Sequence, residues 1–391
     1  MLLEKRGVLL LAAAQALFQS ASVLIMTFSG LIGLLLAPGK SLATLPLAMM
    51  MVTTAAIIIP ASFLMRRFGR RAGFLLGTSL GCIAGLLAAG AIWLNHFWLF
   101  VLANMLMGAY QAFAQYYRFA AVDVASPEFR SKAIAWVMAG GIVAAIAGPN
   151  IARFTQNIGS PPFIVSSLAF SALSFAALLL IRRLVVPPIL ESAIHGSVRP
   201  LWQIIRQPIF MMALTSSAVG YGAMTMVMTA TPLAMTLCGH TFGASATVIQ
   251  WHVLGMFIPS FFTGQLIRRF GVLTIMVVGV VLLATHITIA LTGEGLLNYL
   301  SGLILLGVAW NFLFIGGASL LIKAYRPAEA AKVQAAHDFL IFAVVSLASF
   351  SAGSLLNTFG WRFLNMMVIP FLALVLVMIF ILHTKLKTDL E

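Results

Sequence analysis

A short basic turn that occurs twice decides the fold. Residues 64–69 read Leu-Met-Arg-Arg-Phe-Gly, and residues 266–271 read Leu-Ile-Arg-Arg-Phe-Gly, 202 residues later. A second echo has nearly the same displacement, because residues 127–132 (Pro-Glu-Phe-Arg-Ser-Lys) have a partner in residues 327–332 (Pro-Ala-Glu-Ala-Ala-Lys). Repetition of two motifs at a displacement of about 200 residues predicts two halves built alike.

The composition predicts a membrane as the solvent. The 391 residues are 62% hydrophobic and 8% charged, with a mean hydropathy of +1.07. An apolar run of about 20 residues spans a bilayer core. Twelve such runs are predicted, at roughly 8–36, 42–65, 73–94, 97–117, 133–152, 163–181, 208–236, 244–267, 272–292, 296–322, 333–356 and 363–382. The runs are unbroken rather than alternating, so we expect helices and not a barrel, and no cleavable signal is evident.

The two echoes divide the twelve runs equally. Both fall in inner turns, after the second and the fourth helix of each half. We therefore predict an all-α integral membrane protein of two pseudo-symmetric six-helix bundles, 1–181 and 208–391, related by an axis along the membrane normal. A polar cytoplasmic linker, 182–207, joins them and contains Pro187, Pro188, Glu191, His195, Arg199 and Pro200.

The distribution of the net charge of +14 indicates a membrane topology rather than nucleic-acid binding. With a cytoplasmic start, only Lys40, Arg153 and Arg362 of the 23 Lys and Arg residues fall on the outer side, and the other 20 fall inside. This asymmetry is the positive-inside rule, and it places both termini in the cytoplasm. The basic turns are expected to meet anionic lipid headgroups, and no nucleic-acid partner is predicted.

Soft metal ligands recur at helical spacing in two apolar runs. Met224 with Met228, and His252 with Met256, are each four residues apart and share one helix face. In an antiparallel hairpin, Met228 and His252 lie 8 residues below the outer ends, and Met224 and Met256 lie 12 residues below them. Thioether and imidazole ligands without a carboxylate favour Cu(I) over zinc, calcium or magnesium. The sequence therefore predicts a four-ligand copper site, although Met also fills gaps in any core.

Other polar groups are weaker candidates. Cys238 and His240, in the outer turn between the two ligand-bearing runs, are candidate metal-entry residues, whereas Cys82 is expected to pack. His286 is expected to make a structural hydrogen bond, and Met226 to pack. Candidate polar residues of a central cavity, of which most are expected to join helices, are Gln15, Gln19, Gln111, Gln115, Asn311 and Asp338.

Twelve spans, a central inner loop and RRFG turns after the second and eighth helices resemble the major facilitator superfamily over the whole chain. The turn signature is partial, because Ser62 and Arg66 stand where that family has Gly and Asp. Asn104 replaces the Arg common in the fourth helix, and only Gly148-Pro149 remains of the antiporter signature. These departures disfavour proton-driven drug export.

Within that superfamily, the two four-residue ligand motifs on helices 7 and 8 resemble the CcoA-like copper importers. The resemblance implies import of copper, as transported substrate and not as a cofactor, across the bacterial inner membrane. It also implies a copper chaperone or oxidase assembly factors as partners, for haem-copper oxidases. The alternative prediction is transport of an organic solute, such as a drug, a metabolite or a metal-siderophore complex. A sensor without transport is a third class, and no acid pair or nucleophile-base pair suggests an enzyme.

Overall fold

All regular structure in the described part of the chain is helical. The computed structural model describes residues 2–126, 129–185 and 199–388. The linker residues Pro187, Pro188, Glu191 and His195 lie outside these ranges, as do Pro127 and Glu128 of the second echo. The helices are α1 Leu2–Leu36, α2 Leu45–Phe68, α3 Arg70–Trp93, α4 Phe97–Ala114, α5 Tyr117–Val124, α6 Arg130–Thr155, α7 Ile164–Arg182, α8 Leu201–Ile205, α9 Pro208–Leu237, α10 Phe242–Phe257, α11 Ser260–Phe270, α12 Val272–Thr292, α13 Leu296–Ala324, α14 Ala330–Met366 and α15 Ile369–Thr388.

Ten helical stretches among the described residues are long and apolar enough to cross a bilayer. One of them, Lys332–Lys385, has 54 residues and would measure about 80 Å as a straight helix, more than twice a bilayer core. It contains Gly360, whose φ of 81° and ψ of 177° interrupt the helix, so it holds two spans. The remaining span is α10 with α11, which the turn at Ile258 and Pro259 divides into two short helices. The described helices therefore account for the twelve predicted spans.

Three glycines make the tight turns between consecutive helices. Gly69 and Gly271 end the two repeated RRFG motifs with φ of 86° and 84° and the same ψ of 152°, and Gly360 is similar. This backbone region is essentially restricted to glycine. Arg67 lies over Phe68, and Arg269 over Phe270, at the same 5.2 Å from the ring centroid. The sequence repeat is thus also a repeat of local structure.

The chain folds into two compact units. The first is Met1–Leu190 with Met235–Gln250, and the second is Glu191–Ala234 with Trp251–Glu391. The C-terminal end of α9, the N-terminal part of α10 and the turn between them therefore belong to the first unit. Within that unit, Asn150 donates to Gln250 Oε1 at 3.0 Å, and the ring centroids of Phe163 and Phe242 are 5.1 Å apart.

Small residues bring helix backbones together in both units. In the first, a Cβ at Gly140 of α6 would lie 2.9 Å from the Ala16 backbone nitrogen of α1. In the second, a Cβ at Gly255 of α10 would lie 2.8 Å from the Ile304 carbonyl oxygen of α13. Close approach at small residues is how membrane helices gain van der Waals contact without a hydrophobic driving force.

Candidate functional site

The four predicted metal ligands all lie in the second unit and are all buried. Met224 and Met228 lie on α9, with 3% and 5% of their surface exposed, and His252 and Met256 lie on α10, with 0% and 7% exposed. Within the described residues, no group of three or more His, Cys, Asp or Glu side chains forms a metal cluster. A metal at this position would therefore depend on thioether sulfur and one imidazole, which is a donor set for a soft ion.

The His252 ring is fixed by its neighbour helix. Its Nδ1 lies 2.7 Å from the carbonyl oxygen of Leu303 on α13, so Nδ1 carries the proton and donates. Burial disfavours the imidazolium cation, and the second nitrogen, Nε2, then carries a lone pair. Nε2 has no hydrogen-bond partner among the described residues. His252 thus presents one free acceptor, suited to a metal ion or to an N–H group.

Asn311 of α13, a predicted cavity residue, fastens the break between α10 and α11. Its amide nitrogen donates to the Met256 carbonyl oxygen at 2.7 Å and to Ser260 Oγ at 2.6 Å. Its amide oxygen accepts from Thr263 at 2.6 Å. These bonds satisfy groups that the helix break leaves without their usual partners. The amide is fully engaged within the helix packing.

An aromatic cluster, formed by Tyr221, Trp310, Phe314 and Phe342, gathers three helices of the second unit. The Trp310 and Phe314 rings of α13 stack at 5.1 Å with an interplanar angle of 9°. Tyr221 of α9 lies 5.7 Å from Trp310, 5.6 Å from Phe314 and 6.0 Å from Phe342 of α14. Tyr221 and Phe314 are half-buried, so the cluster reaches the surface of its unit. We did not predict this cluster from the sequence; the available signal was the pair of aromatic residues four apart on α13.

Unpaired polar atoms lie on two of the helices that form this cluster. The indole nitrogen of Trp310, the hydroxyl of Thr225 and the hydroxyl of Ser217 are buried and have no hydrogen-bond partner among the described residues. Thr225 is one helical turn beyond Tyr221 on α9. Buried polar groups are nearly always paired in native proteins, so such an accumulation calls for a ligand or a water.

A face of α9 other than the one that carries Tyr221 lines a cavity. A volume of about 610 Å³ lies between α9, α14 and α15. Met226, expected to pack, is on this wall, with Thr215 and Ser351 among otherwise apolar residues. Because its lining offers so few hydrogen-bonding groups, this cavity suits an apolar occupant and not a polar solute.

The remaining predicted residues are distributed over both units. Cys238 is exposed and His240 half-buried, and both lie in the Met235–Gln250 segment of the first unit. Gln111 is buried on α4, and Gln115, directly after the end of α4, is half-buried. Asp338 of α14 is partly exposed, with its Oδ1 3.3 Å from Nδ1 of His337.

His286, expected to be structural, lies between three helices of the second unit. Its Nδ1 is 2.9 Å from the Gly302 carbonyl oxygen of α13, and its Nε2 is 3.0 Å from Oδ1 of Asn365. Both ring nitrogens therefore contact neighbouring helices, in contrast to the free nitrogen of His252.

The apolar spans of the described residues, with buried polar and aromatic side chains between them, define a polytopic helical membrane protein. Residues 9–339 match the model of the Major Facilitator Superfamily. The riboflavin transporter RfnT of Brucella anthropi is 42% identical over 376 residues, which cover 95% of this chain and 94% of that protein. The uncharacterized MFS-type transporter YddS of Bacillus subtilis is 31% identical over 315 residues, 73% of this chain and 70% of that protein. The chain belongs to the Major Facilitator Superfamily.

A solved structure has the same fold. The nucleoside transporter NupG, crystallised as a mutant, has a TM-score of 0.71 and 14% identity to this chain, covering 98% of this chain and 99% of NupG. At that identity the likeness concerns the fold alone.

Proposed function

We propose that this major facilitator transporter carries a planar organic solute of the riboflavin class. The observation that carries the proposal is the 42% identity over 95% of the chain to a riboflavin transporter. It favours the alternative prediction of an organic solute, and among such solutes a metabolite, over copper import.

The aromatic cluster supports a flat ring system as the solute. Aromatic side chains prefer offset-stacked or edge-to-face partners, and a stacked pair such as Trp310 and Phe314 offers a rigid apolar wall for a planar ring. The half-buried rings of Tyr221 and Phe314 are the accessible members of that wall. Movement of the solute would follow the alternating access that two-bundle transporters use.

A second candidate is import of Cu(I) through Met224, Met228, His252 and Met256. It is favoured by one observation, the Nε2 of a fully buried His252 that has no partner among the described residues, one helical turn from the buried thioether of Met256. Under this candidate the downstream partners would be a copper chaperone or oxidase assembly factors. The relatives give it no support.

One reconstitution separates the two candidates. The protein is placed in liposomes, and riboflavin uptake is measured by its fluorescence in parallel with copper entry by an internal Cu(I) indicator. We expect wild-type riboflavin uptake, a loss of about tenfold or more in Tyr221→Ala from lost stacking area, and little change in Met224→Leu, which removes the sulfur at nearly the same side-chain volume. The second candidate would be established instead if the folded wild type takes up copper but no riboflavin, and if Met224→Leu abolishes the copper entry.

We also propose that the protein lies in a bacterial inner membrane with both termini in the cytoplasm. Arginines occupy the last turns of α2, α7 and α11, and Lys323 that of α13, all at predicted inner ends. Cations at helix C-termini compensate the helix dipole and, on the inner side, meet anionic lipid.

A further inference from the structure

Two unpaired hydrogen-bonding groups of opposite polarity lie on the α10 and α13 pair. The Trp310 indole offers an N–H donor, and His252 Nε2 offers a lone pair, and neither has a partner among the described residues. Trp310 is 8% exposed and His252 0%. An unmade hydrogen bond in such a place costs free energy, so a partner must compensate it in some state of the protein.

The two side chains belong to one stretch of the helix pair. His252 Nδ1 contacts Leu303, and a Cβ at Gly307 would overlap the His252 carbonyl oxygen. Trp310 follows Gly307 by one helical turn on α13, and its ring lies 6.3 Å from Phe257 of α10. Leu303 and Trp310 lie two helical turns apart on one face of α13, and aromatic side chains in helices lean toward the helix N-terminus, so the Trp310 indole leans back toward the His252 ring, next to the aromatic cluster.

Resting on the proposed function, we propose that Trp310 and His252 recognise a cyclic imide edge of the solute ring. The indole N–H donates to a ring carbonyl, and His252 Nε2 accepts from the adjacent ring N–H. The pyrimidinedione ring of a flavin carries both groups in its plane, and the aromatic cluster supplies the wall against which that plane stacks.

The pairing argues against a metal as the occupant of this position. A cation has no use for an N–H donor, because an indole nitrogen offers no lone pair to it. A neutral heterocycle satisfies both groups at once. A site that hydrogen-bonds a substrate N–H rejects the analogue that lacks it more strongly than apolar contacts reject a change of size.

The test compares binding of four probes to the purified full chain in lipid nanodiscs. The probes are riboflavin, 3-methylriboflavin, uridine and 3-methyluridine, so that within each pair a methyl group replaces the imide hydrogen, and the His252→Asn variant below separates the lost hydrogen bond from the added bulk. We expect wild type to prefer the unmethylated partner by about tenfold or more, the effect of leaving a buried acceptor unpaired.

Two variants assign the roles. His252→Asn keeps a donor for the Leu303 carbonyl but removes Nε2, so it should lose the preference. Trp310→Phe removes the donor but retains a ring. It should therefore weaken the binding of both probes of a pair equally and leave the ratio of their affinities unchanged. The matched control is Trp361→Phe, which removes another buried indole, whose ring lies 5.0 Å from that of Tyr299. It should change neither the affinities nor their ratio.

The outcomes separate the inference from the function on which it rests. Imide recognition is overturned if wild type binds riboflavin and 3-methylriboflavin equally well. It is also overturned if folded His252→Asn keeps the full preference for riboflavin. Either result leaves flavin transport standing. A preference within the uridine pair alone supports imide recognition and overturns the flavin assignment. No binding of any probe to folded wild type overturns both. The wild-type comparison needs no variant, so it decides the matter even where His252→Asn does not fold.

Discussion

At the scale of single residues, a buried ion pair in the second unit joins Glu329 to Arg199. The fully buried carboxylate of Glu329 accepts from the Arg199 backbone N–H at 2.9 Å, from its Nε at 2.8 Å and from its Nη2 at 2.6 Å. The Arg326 backbone N–H adds a fourth bond at 2.9 Å. The Arg199 guanidinium holds the pKa of Glu329 well below its ordinary value, and the Glu329 carboxylate raises the pKa of Arg199. Arg199 thereby fastens the end of the predicted linker to the turn before α14.

This ion pair predicts a pH-dependent stability. Since folding lowers the pKa of Glu329, the stabilisation is complete above the ordinary carboxyl value of 4.5 and declines as the pH falls below it. Glu329→Gln should lower the thermal midpoint at pH 7 by several degrees, and the gap to wild type should narrow under acid. Thermal unfolding of the detergent-solubilised protein between pH 7 and pH 3 measures both.

The matched control is Glu294→Gln, which alters an exposed carboxylate in the turn between α12 and α13. It should leave the midpoint near that of wild type, as exposed charges contribute little. Equal midpoints for wild type and Glu329→Gln at pH 7 would contradict the assigned role of the pair.

At the scale of elements, the crossing of α10 and α13 holds His252 in place. A Cβ at Gly307 would overlap backbone atoms of α10, whereas a Cβ at Gly264 of α11 would meet open space. Gly307→Ala should destabilise the protein by about 1–3 kcal/mol through overpacking. It should also reduce flavin uptake, because it displaces the helix that carries Nε2.

Gly264→Ala is the control for the same chemical change. There the added methyl meets nothing, and alanine is favoured over glycine inside a helix by roughly 0.5–1 kcal/mol, so stability should rise slightly. Denaturation curves and uptake assays on both variants test the pair. Similar effects of the two substitutions would mean that the crossing is not close-packed in the membrane.

At the scale of the whole molecule, the proposed orientation has one exposed reporter. Cys238 is exposed in the turn between α9 and α10, whereas Cys82 is half-buried within α3. A membrane-impermeant maleimide added to intact spheroplasts should label wild type, and Cys238→Ser should remove most of the label. If labelling requires permeabilised membranes, the topology is the opposite of the proposed one.

The sequence by itself determined the spans and the twofold repeat, and it predicts the inner and outer ends. Each follows from hydropathy and charge along the chain, which act locally, and predicted spans such as 272–292 and 208–236 agree closely with α12 and α9. The predicted continuous span 244–267 was wrong in one respect, because the helix breaks at Pro259, whose missing N–H was a visible signal.

Only the tertiary structure decided which polar groups meet partners. Asn311, Trp310 and His252 all look alike in sequence, as polar or amphipathic side chains in apolar runs. In the folded chain Asn311 is fully bonded, whereas Trp310 and the second nitrogen of His252 are not. The aromatic cluster likewise joins residues about 90 to 120 positions apart. Hydrogen bonds and ring contacts depend on positions in space that three separate helices set jointly, and no local pattern encodes them.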